Sequence, residues 1–309
     1  MADRDHSQVK PGGSTAAKLA YPDHLREQVE LYLQGLGFSS EAGTGGLEEA
    51  MRYSLLAAGK RIRPVLALAT AQAIGVEPSR LLPLCAALEL IHTYSLIHDD
   101  LPAMDDDALR RGRPTCHIVY GEDVAILAGD GLYAEAFSHL LGHQQGEASN
   151  ILRAAAELAA ATGVGGMVGG QYLDVASAGP DGPDALRRVH ELKTGRLIRA
   201  SVECVLIIAG LSEPARINYF KNFASELGLL FQIVDDIIDV TGSDAELGKP
   251  SGSDARHGKR TYATEYGLDG ARQLAVQAHR RALDQLYAAA PQEPAQLHQI
   301  TDFIAYRSN

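Results

Sequence analysis

From Tyr21 onward, apolar residues recur at intervals of three and four along nearly the whole chain. The pattern runs through LEEAMRYSLLAA (47–58), SRLLPLCAALELIHTYSLIH (79–98) and SNILRAAAELAAA (149–161). It continues in ALRRVHELKTGRLIRASVECVLIIAG (185–210), ARINYFKNFASELGLLFQIVDDIID (215–239) and GARQLAVQAHRRALDQLYAAA (270–290). That period sets one helical face against a core. No alternating segment is bounded by hairpin turns, so strands are not expected. Glycines and prolines such as Gly75, Pro78, Gly112, Pro114, Pro183 and Gly242 fall between the runs. The reading is an all-α fold, one large helical bundle over residues 21–309 after a flexible N-terminus at 1–20. Residues 197–211 and 224–238 are apolar nearly all round and are expected at the bundle centre.

The 28 basic and 39 acidic residues leave a net charge of −11, a poor footprint for nucleic acid. An apolar content of 46% excludes a mainly disordered chain. Cys85, Cys116 and Cys204 are widely spaced with no CxxC, which suggests reduced thiols in a cytoplasmic protein. No transmembrane segment is expected: the uncharged stretch 158–173 is short and holds five glycines. The first 20 residues lack the apolar region of a secretory signal.

Two acidic clusters stand where stability alone would not place them. HDDLPAMDDDALRRGRPTCH (98–117) follows one apolar helix, and FQIVDDIIDVTGSDAELGKPSGSDARHGKRTY (231–262) ends another. Pro102 limits the first helix and Gly242 the second. A carboxylate at a helix C-terminus costs about 0.3–1 kcal/mol, and its like-charged neighbours add repulsion. A solvated acidic turn would explain one such cluster but not two. A divalent cation removes the difficulty. Asp235 and Asp239 share a helical face, and the Pro-containing insertion allows Asp99 and Asp105 to meet one ion. Oxygen ligands without nearby cysteine favour Mg²⁺, which shares its shell with substrate phosphates.

Basic residues stand beside the acidic ones. Lys60, Arg61 and Arg63 precede Pro64, Arg110, Arg111 and Arg113 follow the first cluster, and Lys249 and Lys259 follow the start of the second. Each alone reads as a surface charge. Grouped with magnesium-type carboxylates, they read as a diphosphate site.

These residues resemble the trans-prenyl diphosphate synthases, the farnesyl and geranylgeranyl diphosphate synthase family. The similarity runs in order from about Tyr21 to Arg307. It rests on GKRIRP, His92, the first motif Asp99-Asp100-Leu-Pro-Ala-Met-Asp105, Gly169-Gly170-Gln171, Lys193-Thr194, Phe231-Gln232 and Asp235-Asp236-Ile-Ile-Asp239. There are two departures. Ala58 replaces the usual first glycine of GGKR, and Lys259-Arg260-Thr261-Tyr262-Ala263 replaces the commoner KSTYP.

The resemblance implies an all-α bundle with a deep central cavity, usually a homodimer, and Mg²⁺-dependent joining of isopentenyl diphosphate to an allylic diphosphate. Asp99, Asp105 and Asp235 would be the main ligands of three magnesium ions, with Asp100 and Asp239 in support. Lys60, Arg63, His92 and Arg111 match the isopentenyl diphosphate site, and Arg110, Lys193, Lys249 and Lys259 match the allylic diphosphate site. Thr194 and Gln232 match the pair lining the reacting carbon. Tyr94 and Ser95 stand five and four positions before Asp99, where a large aromatic forms the floor that stops chain growth in this family. Tyr94 therefore points to farnesyl diphosphate as product, with geranylgeranyl or longer as the alternative. A terpene cyclase would need a different second motif, and a noncatalytic partner subunit a damaged one; DDIID is intact. A di-iron bundle would need paired Glu-x-x-His motifs, and no suitable pair occurs. The glycines at 163, 165, 166, 169 and 170 suggest close helix packing or room for a ligand, since no strand precedes them.

Overall fold

The computed structural model describes residues 20–176, 183–242, 259–292 and 294–307. Apart from Ala20, the N-terminal segment expected to be flexible lies outside them, as does Lys249. The first half of the bundle is α1 (Asp23–Gln34), α2 (Gly45–Leu55), α3 (Ile62–Ala73), α4 (Leu82–Asp99), α5 (Cys116–Tyr120) and α6 (Glu122–His143). The second half is α7 (Ala148–Thr162), α8 (Met167–Val175), α9 (Pro183–His190), α10 (Arg196–Ile208), α11 (Pro214–Thr241), α12 (Tyr262–Ala289) and α13 (Ala295–Tyr306). A π turn, Glu191–Gly195, joins α9 to α10.

The helix ends follow local chemistry. Pro83 and Pro214 stand in the first turns of α4 and α11, where a missing N–H costs nothing. Thr261 and Thr264 close a reciprocal capping box at the start of α12. Gly242 is the C-cap of α11, as its position in the sequence implied.

One buried apolar cluster runs from Tyr21 to Ile304. Helix α10 is buried around most of its circumference, from Leu197 to Ile208. Helix α11 is central too, but one face is open: Phe231, Gln232 and Asp235 border a cavity. Each fully buried Leu or Ile contributes about 1.5–3 kcal/mol. Two helical stretches, Pro78–Asp99 and Ala148–Val175, are long and apolar enough to cross a membrane. The first is mostly buried in the bundle, so its composition has a packing reason.

One feature departs from the all-helical expectation. β1 (Leu109–Arg110) pairs antiparallel with β2 (Arg113–Pro114). Arg111 and Gly112 connect them at φ of 54° and 73°, both positive as a type I′ turn requires. A two-residue ladder has no alternation to detect, and Arg is not the usual partner of Gly in that turn.

Candidate active site

A cavity of about 890 Å³ opens among α3, α4, α8, the π turn, α11 and the C-terminal end of α13. Its acidic side comes from two helix ends. Asp99 closes α4, and the Asp105 N–H returns to the Asp99 carbonyl at 2.9 Å, folding the first motif back on itself. Asp235 faces the cavity from α11. Burial pushes the Asp99 carboxyl up to about 6, and Asp105 pushes the same way against the opposing pull of Lys193. Gln171 donates to Asp99 at 2.8 Å, while its own Oε1 is buried without a partner.

Cationic side chains sit on these carboxylates. Lys259 is 2.9 Å from Asp105, and Arg307 is 3.1 Å from Asp235. Among the described residues, no three His, Cys, Asp or Glu side chains gather closely enough to hold a metal by themselves. Magnesium does not require such a cluster, since it takes one or two carboxylates and completes its shell with water and substrate phosphates. The all-oxygen donors, the raised Asp99 and the orphaned Gln171 oxygen fit such an ion.

Asp100 departs from its expected role. It is buried and turned away from the cavity lining, and Arg110 grips both its oxygens at 2.6–2.9 Å. Asp100 keeps helical dihedrals (φ −72°, ψ −14°), so the helical step of about 100° turns its side chain away from that of Asp99. In this structure Asp100 therefore holds Arg110 in place. Asp239 is buried one turn beyond Asp235 and is not among the cavity-lining residues.

The basic side gathers as expected. Lys60, Arg63, His92, Arg110 and Arg111 all line the cavity. Arg63 Nε is buried with no hydrogen-bond partner, and burial, aided by the nearby Arg111, lowers the guanidinium to about 10. Burial and the charges of Arg63, Arg111, Arg110 and Arg61 hold His92 well below its ordinary value, so it is neutral at pH 7. The hairpin aims Arg111 at the Ala58 carbonyl, 2.9 Å away, directly over Gly59. A Cβ on Gly59 would lie 2.5 Å from the Arg111 guanidinium. A side chain at Gly59 would therefore shift the Arg111 guanidinium from its place. Arg61 takes a different part from its neighbours. It is buried in the cavity wall, with Glu30 at 2.8 Å and Glu89 at 2.7 Å, and braces α1 and α4.

Lys193 and Thr194 project into the cavity from the π turn. Lys193 pairs with Asp174 on α8 at 2.6 Å. The Thr194 hydroxyl donates to Gln232 Oε1 at 3.2 Å, and the Gln232 amide donates to Asp236 at 2.8 Å. Asp236 also accepts the Tyr262 N–H at 2.7 Å, tying the chain to the start of α12. The glycine cluster explains how the turn is seated. A Cβ on Gly170 would lie 2.3 Å from the Lys193 nitrogen, so α8 touches the π turn main chain to main chain. Of the two explanations for these glycines, close packing is the one seen at Gly170.

Tyr94 and Ser95 line the cavity below Asp99. Ser95 donates to the His92 carbonyl at 2.8 Å. Behind Tyr94 stands Tyr133, edge-on at 4.9 Å, and then Phe137 at 5.3 Å. Sequence reasoning missed this second aromatic layer, though its spacing of four on α6 was a usable signal. It also missed Asp174 and Arg307, which no local pattern marks.

The polyprenyl synthetase family model matches residues 45–304. Over 270 residues the chain is 47% identical to the heterodimeric geranylgeranyl pyrophosphate synthase large subunit 1, chloroplastic, of Arabidopsis thaliana, covering 85% of this chain and 72% of that protein. The solved structure of a Helicobacter pylori geranyltransferase complexed with magnesium and isoprenyl diphosphate matches with a TM-score of 0.82 at 33% identity, over 98% of this chain and 99% of that one. The apo structure of an FPP/GFPP synthase from Zymomonas mobilis matches with a TM-score of 0.81 at 34% identity, over 91% and 96%. The chain belongs to the polyprenyl synthetase family and is a prenyltransferase of that family.

Proposed function

We propose that this cavity joins isopentenyl diphosphate to an allylic diphosphate. The observation that carries the reading is the meeting of two carboxylate-bearing helix ends, at Asp99 and Asp235, with two sets of cations around one cavity. Lys60, Arg63 and Arg111, with neutral His92, hold the isopentenyl diphosphate. His92 offers an N–H there without adding charge. Arg110, fixed by Asp100, joins Lys193 and Lys259 on the allylic diphosphate, with Lys249 from outside the described residues. Asp99, Asp105 and Asp235 would hold magnesium, with Asp239 in support. The ions would add positive charge to the departing diphosphate.

Fixed positive charge around the leaving group is the main source of rate, because it is already in place when the carbon–oxygen bond breaks. The Thr194 hydroxyl donates its hydrogen bond to Gln232 Oε1, which leaves oxygen lone pairs for the allylic cation. Leu96, Met167, Val168 and Phe231 keep water from that cation. The two held substrates then react without a bimolecular encounter. The released diphosphate takes the final proton.

Two product lengths each have support. The Arabidopsis relative, at 47% identity, carries a geranylgeranyl name, which weighs toward a C20 product. The Zymomonas neighbour carries an FPP/GFPP name at 34% identity and weighs less. Tyr94 in the cavity wall, backed by Tyr133, is this chain's own feature favouring C15. The three free cysteines are buried and suit a reducing compartment, either cytoplasm or the plastid named for the plant relative. The expected homodimer and the heterodimer named for that relative are separated by measuring the mass of the purified protein alone in solution.

The test is a product assay with Mg²⁺, isopentenyl diphosphate and dimethylallyl or geranyl diphosphate, read by mass spectrometry after dephosphorylation. Farnesol or geranylgeraniol supports the reaction and decides the length. No elongation from either starter in an active buffer refutes the assignment.

A further inference from the structure

Behind the π turn lies a second cavity of about 230 Å³, between the α9–α10 segment and α11. The turn is the partition between the two cavities. Lys193 and Thr194 border the large one, and Glu191 and Gly195 border the small one. The small cavity is markedly basic: Arg187, Arg196 and Arg199 line it together with His190 and Ser225.

The charges there do not cancel. Arg199 is matched by Glu203 at 2.5 Å, and Glu191 is taken by Arg188 at 3.2 Å. Among the described residues, Arg187 and Arg196 have no carboxylate partner. Arg196 Nε is buried with no hydrogen-bond partner, and so is His190 Nδ1. Arg187 and Arg196 thus give the cavity wall positive charge that no carboxylate there neutralises.

Size and charge narrow the occupant. The volume admits roughly seven waters, far less than a prenyl chain with its diphosphate needs. Two unmatched guanidinium groups suit two negative charges on one small ligand, and guanidinium forks match phosphate oxygens. We propose that this cavity binds a small phosphate-bearing dianion, orthophosphate or inorganic diphosphate, against the turn that carries Lys193 and Thr194. The assignment does not depend on the reaction proposed above.

The test is calorimetric titration of the full chain in EDTA, with orthophosphate and inorganic diphosphate added separately. Without metal, anions meet two basic sites, the Lys60–Arg63–Arg111 group and this cavity. Arg196→Leu should abolish one of the two or weaken it by at least about tenfold. Arg111→Ala should remove the other and leave this one intact. Arg187 is exposed, so Arg187→Gln keeps the test open should Arg196→Leu fail to fold, and it should weaken the same site. The anion whose binding depends on Arg196 or Arg187 is the ligand. Isotherms that neither substitution changes would overturn the proposal. Malonate binding at this site as tightly as phosphate would overturn the phosphate class.

Discussion

Replacing Gly170 by alanine tests whether the π turn must be held to within about an ångström. The added Cβ would lie 2.3 Å from Lys193 N, 2.7 Å from Lys193 Cα and 2.8 Å from the Leu192 carbonyl carbon. All three are main-chain atoms and cannot swing aside. Relief requires α8 and the turn to separate by about 1 Å at that contact. A displacement of that size at a positioned catalytic group costs about 100-fold in rate, or about 2.7 kcal/mol of barrier. Stability should change much less. Overpacking costs about 1–3 kcal/mol, and replacing a helical Gly by Ala returns about 1 kcal/mol. The expected signature is a kcat near 1% of wild type with a melting temperature only a few degrees lower. The assay is the initial rate of elongation at saturating substrates beside a thermal melt. Gly165→Ala is the control, because nothing lies within 4 Å of its added Cβ. A Gly170→Ala enzyme within threefold of wild-type kcat would refute the reasoning.

Other expectations follow from single contacts. Tyr94→Ala opens the cavity wall toward Tyr133, so the main product should gain at least one isoprene unit by mass spectrometry; an unchanged product ends the floor argument. Arg61→Met strands Glu89, which is almost fully buried, and should cost about 3–5 kcal/mol in denaturant unfolding. A loss below about 1 kcal/mol would mean that the brace is not one. His190 is held down to about 4, mainly by burial, against an ordinary value of 6.5. Its contribution to stability is complete above pH 6.5 and is lost as the unfolded chain takes up a proton between 6.5 and 4, a total of about 3 kcal/mol. His190→Phe should flatten the pH dependence of unfolding over that window, and parallel curves for variant and wild type would count against it.

The aspartate motifs were readable because function forces charge onto helix ends where stability opposes it. Thr194 and Gln232 were readable only as a pair of residue types, yet the structure joins them through a hydrogen bond and extends the chain to Asp236 and Tyr262. Asp100 and Arg61 show where such reading stops. Both sit inside motifs of like residues, and only the folded backbone decides that one holds Arg110 and the other Glu30 and Glu89. The direction at Asp100 depends on the helical step from Asp99, since Asp100 keeps a right-handed helical backbone. That at Arg61 depends on its φ of 52°, an uncommon value for a residue other than glycine. Arg307 and Asp174 reach the site through packing across the fold, and neither carries a local signature. The glycine cluster suggested close contact, but which backbone it approached was set by the tertiary fold.

The pairs Lys259–Asp105 and Arg307–Asp235 mean that the carboxylate end of the cavity already carries its own counter-charges. A magnesium ion arriving alone would have to displace an ammonium or a guanidinium from its carboxylate. A diphosphate arriving alone would meet carboxylates still exposing negative charge. Were the two to arrive together, magnesium held by the aspartates would free Lys259 and Arg307 to face the phosphate oxygens. The cavity would then respond to the metal–diphosphate complex more than to either component, and apparent affinity for each should rise with the concentration of the other.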